Sequence, residues 1–221
     1  MDLQEMLTKS IWGRNLGAAE LGRVLRDARE RSVATGDAIV RSGQAAEHWC
    51  GLISGFGKMS VGSADGRETS LTSIASGGWF GEGTLIKRGS WQYDAVALRD
   101  CRVALVPRET FEWLRATSLP FNHHLQVLMS ARMGQFIARM CDDRLLDSTA
   151  RVAHALAGLF NPELYPDPGS FIDIRQAELG QMAGVSRQRA NRALQLLEQQ
   201  GLVKVERRGI EVLDLAGLRS Y

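Results

Sequence analysis

The stretch from Ile174 to Val212 constrains this chain most. A short amphipathic segment, Arg175 to Ala183, ends at Gly184, and a second starts at Ser186, runs to Gln200 and stops at Gly201. A serine suits the start because its hydroxyl accepts a free backbone N–H of the first turn, and glycine suits a helix stop. Two β-prone runs follow, Leu202 to Val205 and Ile210 to Leu213, joined by Glu206-Arg207-Arg208-Gly209. The pattern predicts a helix-turn-helix with a small β-wing.

The second helix opens on Ser186-Arg187-Gln188-Arg189-Ala190-Asn191-Arg192, with three arginines and no acid. Such a helix end suits the major groove of DNA, where arginine and glutamine pair with base edges and phosphates. The net charge of +2 over 221 residues announces nothing, but its distribution does. Between Ile174 and Glu211, Arg175, Arg187, Arg189, Arg192, Lys204, Arg207 and Arg208 face only Glu178, Glu198, Glu206 and Glu211. That local excess favours approach to phosphate. The plain alternative is a solvated charged face. The preceding turn, the following wing and the lack of acid from Ser186 to Arg192 weigh against it.

Upstream, residues 1 to about 30 read as helical, and from Arg31 the texture changes to short β-prone runs. Gly36, Gly43, Gly55, Gly57, Gly62, Gly66, Gly77 and Gly78 punctuate these runs, as in an antiparallel sandwich or barrel. After Pro107 the helical pattern returns, with a short helix at Thr110 to Ala116 and a long one opened by Pro120 and reaching about Arg144. Met129, Met133, Phe136 and Met140 form one stripe on it, and Val127, Gly134, Ile137 and Cys141 a second. One stripe can face the β-domain; the other calls for a partner, which a twin helix in a parallel dimer supplies. Asp147-Ser148-Thr149 reads as the N-cap of a further helix, Ala150 to Phe160, with the hinge near Asp142 to Asp147. Asn161 to Gly169 holds three of the five prolines and reads as a loop.

Several classes drop out. Cys50, Cys101 and Cys141 are scattered and odd in number, which argues against a disulfide scaffold and fits a reducing cytoplasm. Neither a metal, an iron–sulfur cluster nor a haem is expected, because three lone thiols and four unpatterned histidines offer no ligand set. No apolar run approaches a membrane span and MDLQEMLTKS lacks a signal-peptide core, so a cytoplasmic protein with no membrane partner is expected. There is no nucleophile elbow, no HExxH, and Gly81-Glu82-Gly83-Thr84 lacks a P-loop Lys-Ser/Thr, so an enzyme is not expected.

Nearly the whole chain resembles the cyclic-AMP receptor and fumarate–nitrate regulator (Crp/Fnr) family of bacterial transcription factors. Gly36-Asp37, Gly43 and Gly55 resemble its β-roll turns, and Gly81-Glu82 with Thr84-Leu85 resembles its phosphate-binding cassette. Ala97 to Cys101 resembles the strand after that cassette, and Leu146 to Ala153 the hinge and first helix of its DNA-binding domain. Gly184 to Gln188 with Arg192, and Leu197-Glu198 with Gly201-Leu202, resemble its recognition helix and wing. The resemblance implies an α+β chain: an antiparallel, cyclic-nucleotide-binding-like β-roll sensory domain (1–118), a dimerisation helix (119–145) and a winged helix-turn-helix (146–221).

It further implies base contacts from Arg187, Gln188 and Arg192, with Arg187 bidentate to guanine and Gln188 suited to adenine. Ser186, Arg175, Arg189, Asn191 and Arg208 are expected on the DNA backbone. Met129, Met133, Phe136, Ile137 and Met140 are the expected dimer face. The effector pocket falls on Gly81, Glu82, Thr84, Trp91, Gln92 and Phe136. There the family's phosphate-pairing Arg is replaced by Trp91 or Gln92, and its base-holding hydroxyls by Phe136 and Ile137. An anionic phosphate without a cation in a desolvated pocket is unfavourable, so cyclic AMP in the usual mode is not expected, although Lys87 or Arg88 offers a substitute charge. The expected function is a homodimeric, sequence-specific transcription regulator of a two-fold symmetric operator, with RNA polymerase as a further partner. Either a small effector bound in the β-roll, not cyclic AMP in the usual mode, controls it, or it binds constitutively and the β-roll is structural.

Overall fold

The computed structural model describes residues 1–63, 65, 67–166 and 169–221; Gly66, Asp167 and Pro168 of the expected turns and loop lie outside them. Two helices, α1 (Leu3–Lys9) and α2 (Ala18–Asp27), precede eight strands. These are β1 (Arg29–Val33), β2 (Ala38–Val40), β3 (His48–Ser54), β4 (Phe56–Gly62), β5 (Glu68–Ala75), β6 (Trp79–Phe80), β7 (Asp94–Ala97) and β8 (Cys101–Pro107). They form two four-stranded antiparallel sheets, ordered β1-β8-β3-β6 and β2-β7-β4-β5. The short helix α3 (Glu82–Ile86) interrupts the strands between β6 and β7. Then come α4 (Arg108–Thr117) and the long α5 (Leu119–Leu145), whose start is capped by Ser118 with Pro120 in the first turn. The expected antiparallel β-roll followed by a long helix is therefore present.

The β-roll core is aromatic. Trp12, Trp49, Trp79, Phe111 and Phe121 are buried, with Trp49 lying 4.4 Å from Trp79, 5.1 Å from Trp12 and 5.5 Å from Phe121 between ring centroids. The T-shaped and tilted pairs suit the ring quadrupoles and add roughly 0.5–1.5 kcal/mol each beyond burial. The cluster ties Trp12, in the link between α1 and α2, and the first turn of α5 to the sheet.

The chain continues through α6 (Ser148–Ala157), where Asp147 Oδ1 accepts from Thr149 N and Ala150 N, as its sequence signature predicts. The remaining elements are β9 (Phe171–Ile172), α7 (Gln176–Met182), α8 (Arg187–Gln199), β10 (Val203–Val205), β11 (Ile210–Val212) and α9 (Leu215–Arg219). One expectation needs correction, and another gains a tertiary contact. The wing has three strands, β10-β11-β9, because Phe171 and Ile172 pair with Glu211 and Ile210. The proline-rich segment also has a tertiary role: Tyr165 is buried and its hydroxyl donates to Ser73 O at 2.6 Å, fastening it to β5. No helix among the described residues is long and apolar enough to cross a membrane.

Candidate nucleic-acid interface and β-roll interior

Helices α7 and α8 pack through Leu179, Met182, Ala183, Ala190, Ala193, Leu194 and Leu197, all buried. Gly184 makes the turn between them with φ +63°, and Val185 N donates to Gly180 O. Alanine at 190 and 193 keeps the helices close; Gly180 leaves room for Ala190, whose methyl a Cβ there would meet at 3.4 Å. Ser186 Oγ accepts from Arg189 N at 3.3 Å, so the serine caps α8. Its hydroxyl is thereby committed to the helix end, and its reading as a phosphate contact rests on its place there.

The front of α8 is open. Arg187, Gln188, Arg189 and Arg192 are exposed, and among the described residues the three arginines form no ion pair. Arg175, Arg187, Arg207 and Arg208 border one groove between α7, α8 and the wing tip. Four exposed guanidinium groups around a concave surface, where the acid in the lining, Glu206, is already paired with Lys204, are suited to phosphate and base edges. One expected backbone contact is engaged elsewhere: Asn191 Nδ2 donates to Gln176 Oε1 at 2.8 Å and braces α8 against α7. Arg208 stands 4.0 Å from Asp173 with its side chain 84% exposed, so it stays open to a phosphate. Glu198 is turned away from the groove; it accepts Val205 N at 2.7 Å and fixes the wing.

In the β-roll, Gly81 adopts φ +98° ahead of α3. A Cβ there would lie 2.4 Å from Trp91 Cη2 and 2.9 Å from Cζ3, so the indole rests directly on the glycine. Trp91 is 4% exposed and packs on Phe80 and Tyr93 at 6.1 and 5.6 Å. Burial pushes the Tyr93 phenol well above its ordinary range. Glu82 is buried, and its Oε1 accepts from Arg132 Nε of α5 at 3.2 Å, while Arg132 Nη2 donates to Trp79 O at 2.7 Å. Among the described residues, Glu82 Oε2 has no hydrogen-bond partner.

The expectation of a cassette without a cation is thus corrected: the long helix supplies Arg132, fifty residues from Glu82 in sequence. Arg132 lies on α5, outside the loop in which the family's arginine falls. Gly81, Glu82 and Trp91 do come together, whereas exposed Gln92 turns its amide to Ser90 O and Phe136 borders a separate cavity with Leu71, Thr72 and Met182. Thr84 is half-buried on α3.

The face of α5 also departs from expectation. Its buried residues are Phe121, His124, Leu125 and Leu128. Beyond them neither apolar stripe covers the β-roll: Met129, Met133, Phe136, Ile137 and Met140 all remain open, with Met133 at 64%.

Residues 30–118 match the cyclic nucleotide-binding domain, and residues 150–221 match the Crp-like helix-turn-helix domain. The chain is 30% identical over 177 residues to the cAMP-activated global transcriptional regulator CRP of Pasteurella multocida, covering 79% of this chain and 85% of that protein. It is 31% identical over 192 residues to the cAMP-activated global transcriptional regulator Vfr of Pseudomonas aeruginosa, covering 84% and 90%. Among solved structures, the catabolite activator protein of Thermus thermophilus covers 95% of this chain and 96% of its own at TM-score 0.52 and 26% identity. FixK2 of Bradyrhizobium japonicum shares the fold at TM-score 0.74 and 20% identity, with 87% and 96% covered.

Proposed function

The chain belongs to the Crp/Fnr family of DNA-binding transcription regulators, and on that premise we propose that it works as a homodimer reading a two-fold symmetric operator. The observation that carries this reading is the front of α8, where Arg187, Gln188 and Arg192 are exposed beyond a capped helix start. In this reading Arg187, Gln188 and Arg192 touch bases, while Arg175, Arg189 and the wing arginines hold phosphates. The uncovered Met129, Met133, Ile137 and Met140 of α5 support the dimer. Residues 1–118, 119–145 and 146–221 then act as sensory roll, dimer helix and DNA-binding domain. RNA polymerase is the partner through which such a regulator would act.

Selection from random duplexes by the full chain tests this. The selected site should show two inverted half-sites whose centres lie about 34 Å apart. Arg187→Ala should lose roughly 1–3 kcal/mol at one base position, and Arg175→Ala should weaken all sequences alike. An Arg187→Ala protein that binds selected and random duplexes like the parent sinks the assignment.

For control, the packing of Trp91 on Gly81 and the Arg132–Glu82 pair favour the effector-independent reading over an effector in the cassette. An indole fills the space where a phosphate would approach the glycine backbone, and Glu82 already has a cationic partner. Cyclic AMP, cyclic GMP and cyclic di-GMP should therefore leave operator affinity unchanged. A nucleotide that shifts it reinstates effector control.

A further inference from the structure

Arg99 lies in the turn between β7 and β8, held against the β-roll. Leu98 N and Arg99 N both donate to Phe56 O, at 2.8 and 3.1 Å, and Asp100 Oδ1 accepts Thr35 N and Oγ1 at 2.9 and 2.8 Å. Gly55 completes the fit, since a Cβ there would lie 2.5 Å from Asp100 O. From this fixed base the guanidinium crosses to the helix-turn-helix. Its Nη1 and Nη2 donate to the two oxygens of Glu178 at 2.9 and 3.1 Å, and its Nε donates to Asp173 Oδ1 at 2.8 Å. Arg99 and Glu178 are largely shielded, at 18% and 14% side-chain exposure. Bidentate pairing fixes direction as well as distance, which a lysine cannot do.

Glu178 does two things at once. Its Oε2 also accepts Arg175 N at 2.8 Å, which closes the first turn of α7. The carboxylate that organises the start of the helix-turn-helix is therefore the one gripped by the β-roll. Among the described residues, the Arg99 contacts are the ion pairs that join the β-roll to the helix-turn-helix. The covalent connection between α5 and α6 is short and extended at Leu146 and Asp147, so by itself it is a swivel.

We propose that Arg99 is a positioning residue for DNA recognition: it sets the angle of the helix-turn-helix on the β-roll and so the separation of the two recognition helices in the dimer. It touches no base. The inference rests on the dimeric DNA reading above. A dimer captures its second half-site as an intramolecular event, and this advantage is lost when the geometry is free to wander. A single half-site makes no such demand.

The test uses the full chain, the operator selected with the parent protein, a single half-site duplex, and operators whose spacer is lengthened or shortened. Arg99→Ala should weaken paired-site binding about tenfold, leave single half-site binding within about twofold, and broaden the tolerated spacing. Glu178→Gln keeps an acceptor for Arg175 N but loses the charge; it should act in the same direction and covers the case in which Arg99→Ala folds poorly. Arg99→Lys should restore only part of the spacing discrimination. Parental paired-site affinity and spacing in both Arg99→Ala and Glu178→Gln overturn the proposal while leaving DNA binding intact. So does an equal loss on single and paired sites. A parent protein that retains no duplex overturns the DNA reading and this one with it.

Discussion

The contact between Trp91 and Gly81 gives a sharp stability prediction. Gly81→Ala should incur two separable costs. The left-handed backbone, at φ +98°, charges an L-residue about 1–2 kcal/mol. The new methyl, 2.4 Å from Trp91 Cη2, must displace a buried ring, and overpacking of that kind costs about 1–3 kcal/mol. Trp91→Phe removes the distal benzo ring that overlies the glycine, at a cost of about 1–3 kcal/mol as a large-to-small change in a well-packed site. In the Trp91→Phe background, Gly81→Ala should lose its steric cost and retain its backbone cost. The double variant should therefore be more stable than the sum of the singles by about 1–3 kcal/mol. Urea titrations followed by far-UV circular dichroism, with m unchanged, measure all four corners of the cycle. Additivity within about 0.5 kcal/mol would show that the ring does not sit on the glycine and would remove the case for a self-filled cassette.

Two further outcomes are expected. Burial holds the His124 imidazole down at about 4, below its ordinary 6.5, so the unfolded chain takes up a proton in that window and the folded chain does not. Stability should accordingly be full above 6.5 and fall toward 4 by up to about 1.4 kcal/mol per pH unit, and His124→Asn should flatten that slope; parallel slopes in the two proteins would contradict it. Met133→Glu, at an exposed site, should cost the single chain no more than about 0.5 kcal/mol yet shift sedimentation from dimer to monomer, and an unchanged dimer would count against the α5 seam.

The helix-turn-helix was legible because its signals are local. Ser186 caps, Gly184 and Gly201 turn, and the alanines and leucines between them recur at helical spacing. Each depends on neighbours within four residues. What stayed hidden depends on contacts far apart in the chain. Strand β9 is two residues long and exists only through pairing with β11, about forty residues later. Arg132 looks like one more polar residue on a helix until the fold brings Glu82 to it. Asn191 reads as a free amide at the helix front, yet Gln176 claims it across the turn. Arg99 lies in the Ala97 to Cys101 stretch that resembles a family strand, but nothing local marks its pairing, because its partners are acids of another domain.

The inward side of α5 explains why this helix misled an apolar-stripe reading. Past Leu128 it turns polar groups toward the body and leaves its methionines outside. Arg132 meets Glu82 and Trp79 O, and Gln135 lies one turn on, with its Oε1 3.3 Å from Thr72 Oγ1 of β5 and its Nε2 3.4 Å from Gly158 O beyond α6. Asp142 then pairs with His154 at 3.0 Å and Asp143 with Arg151 at 2.7 Å. An ordinary surface helix buries apolar groups and solvates polar ones. Here the polar side makes directional bonds to both domains, and the apolar side, which has no direction to keep, is left exposed on the single chain; the proposed dimer would cover it. Hydrogen bonds and ion pairs are made or broken at defined geometries, whereas apolar contacts slide. A helix arranged this way holds the β-roll and the DNA-binding domain in register along one edge, and Arg99 holds them along another. Tyr165 on Ser73 O adds a third hold, and separated attachments fix an angle where one would leave a pivot.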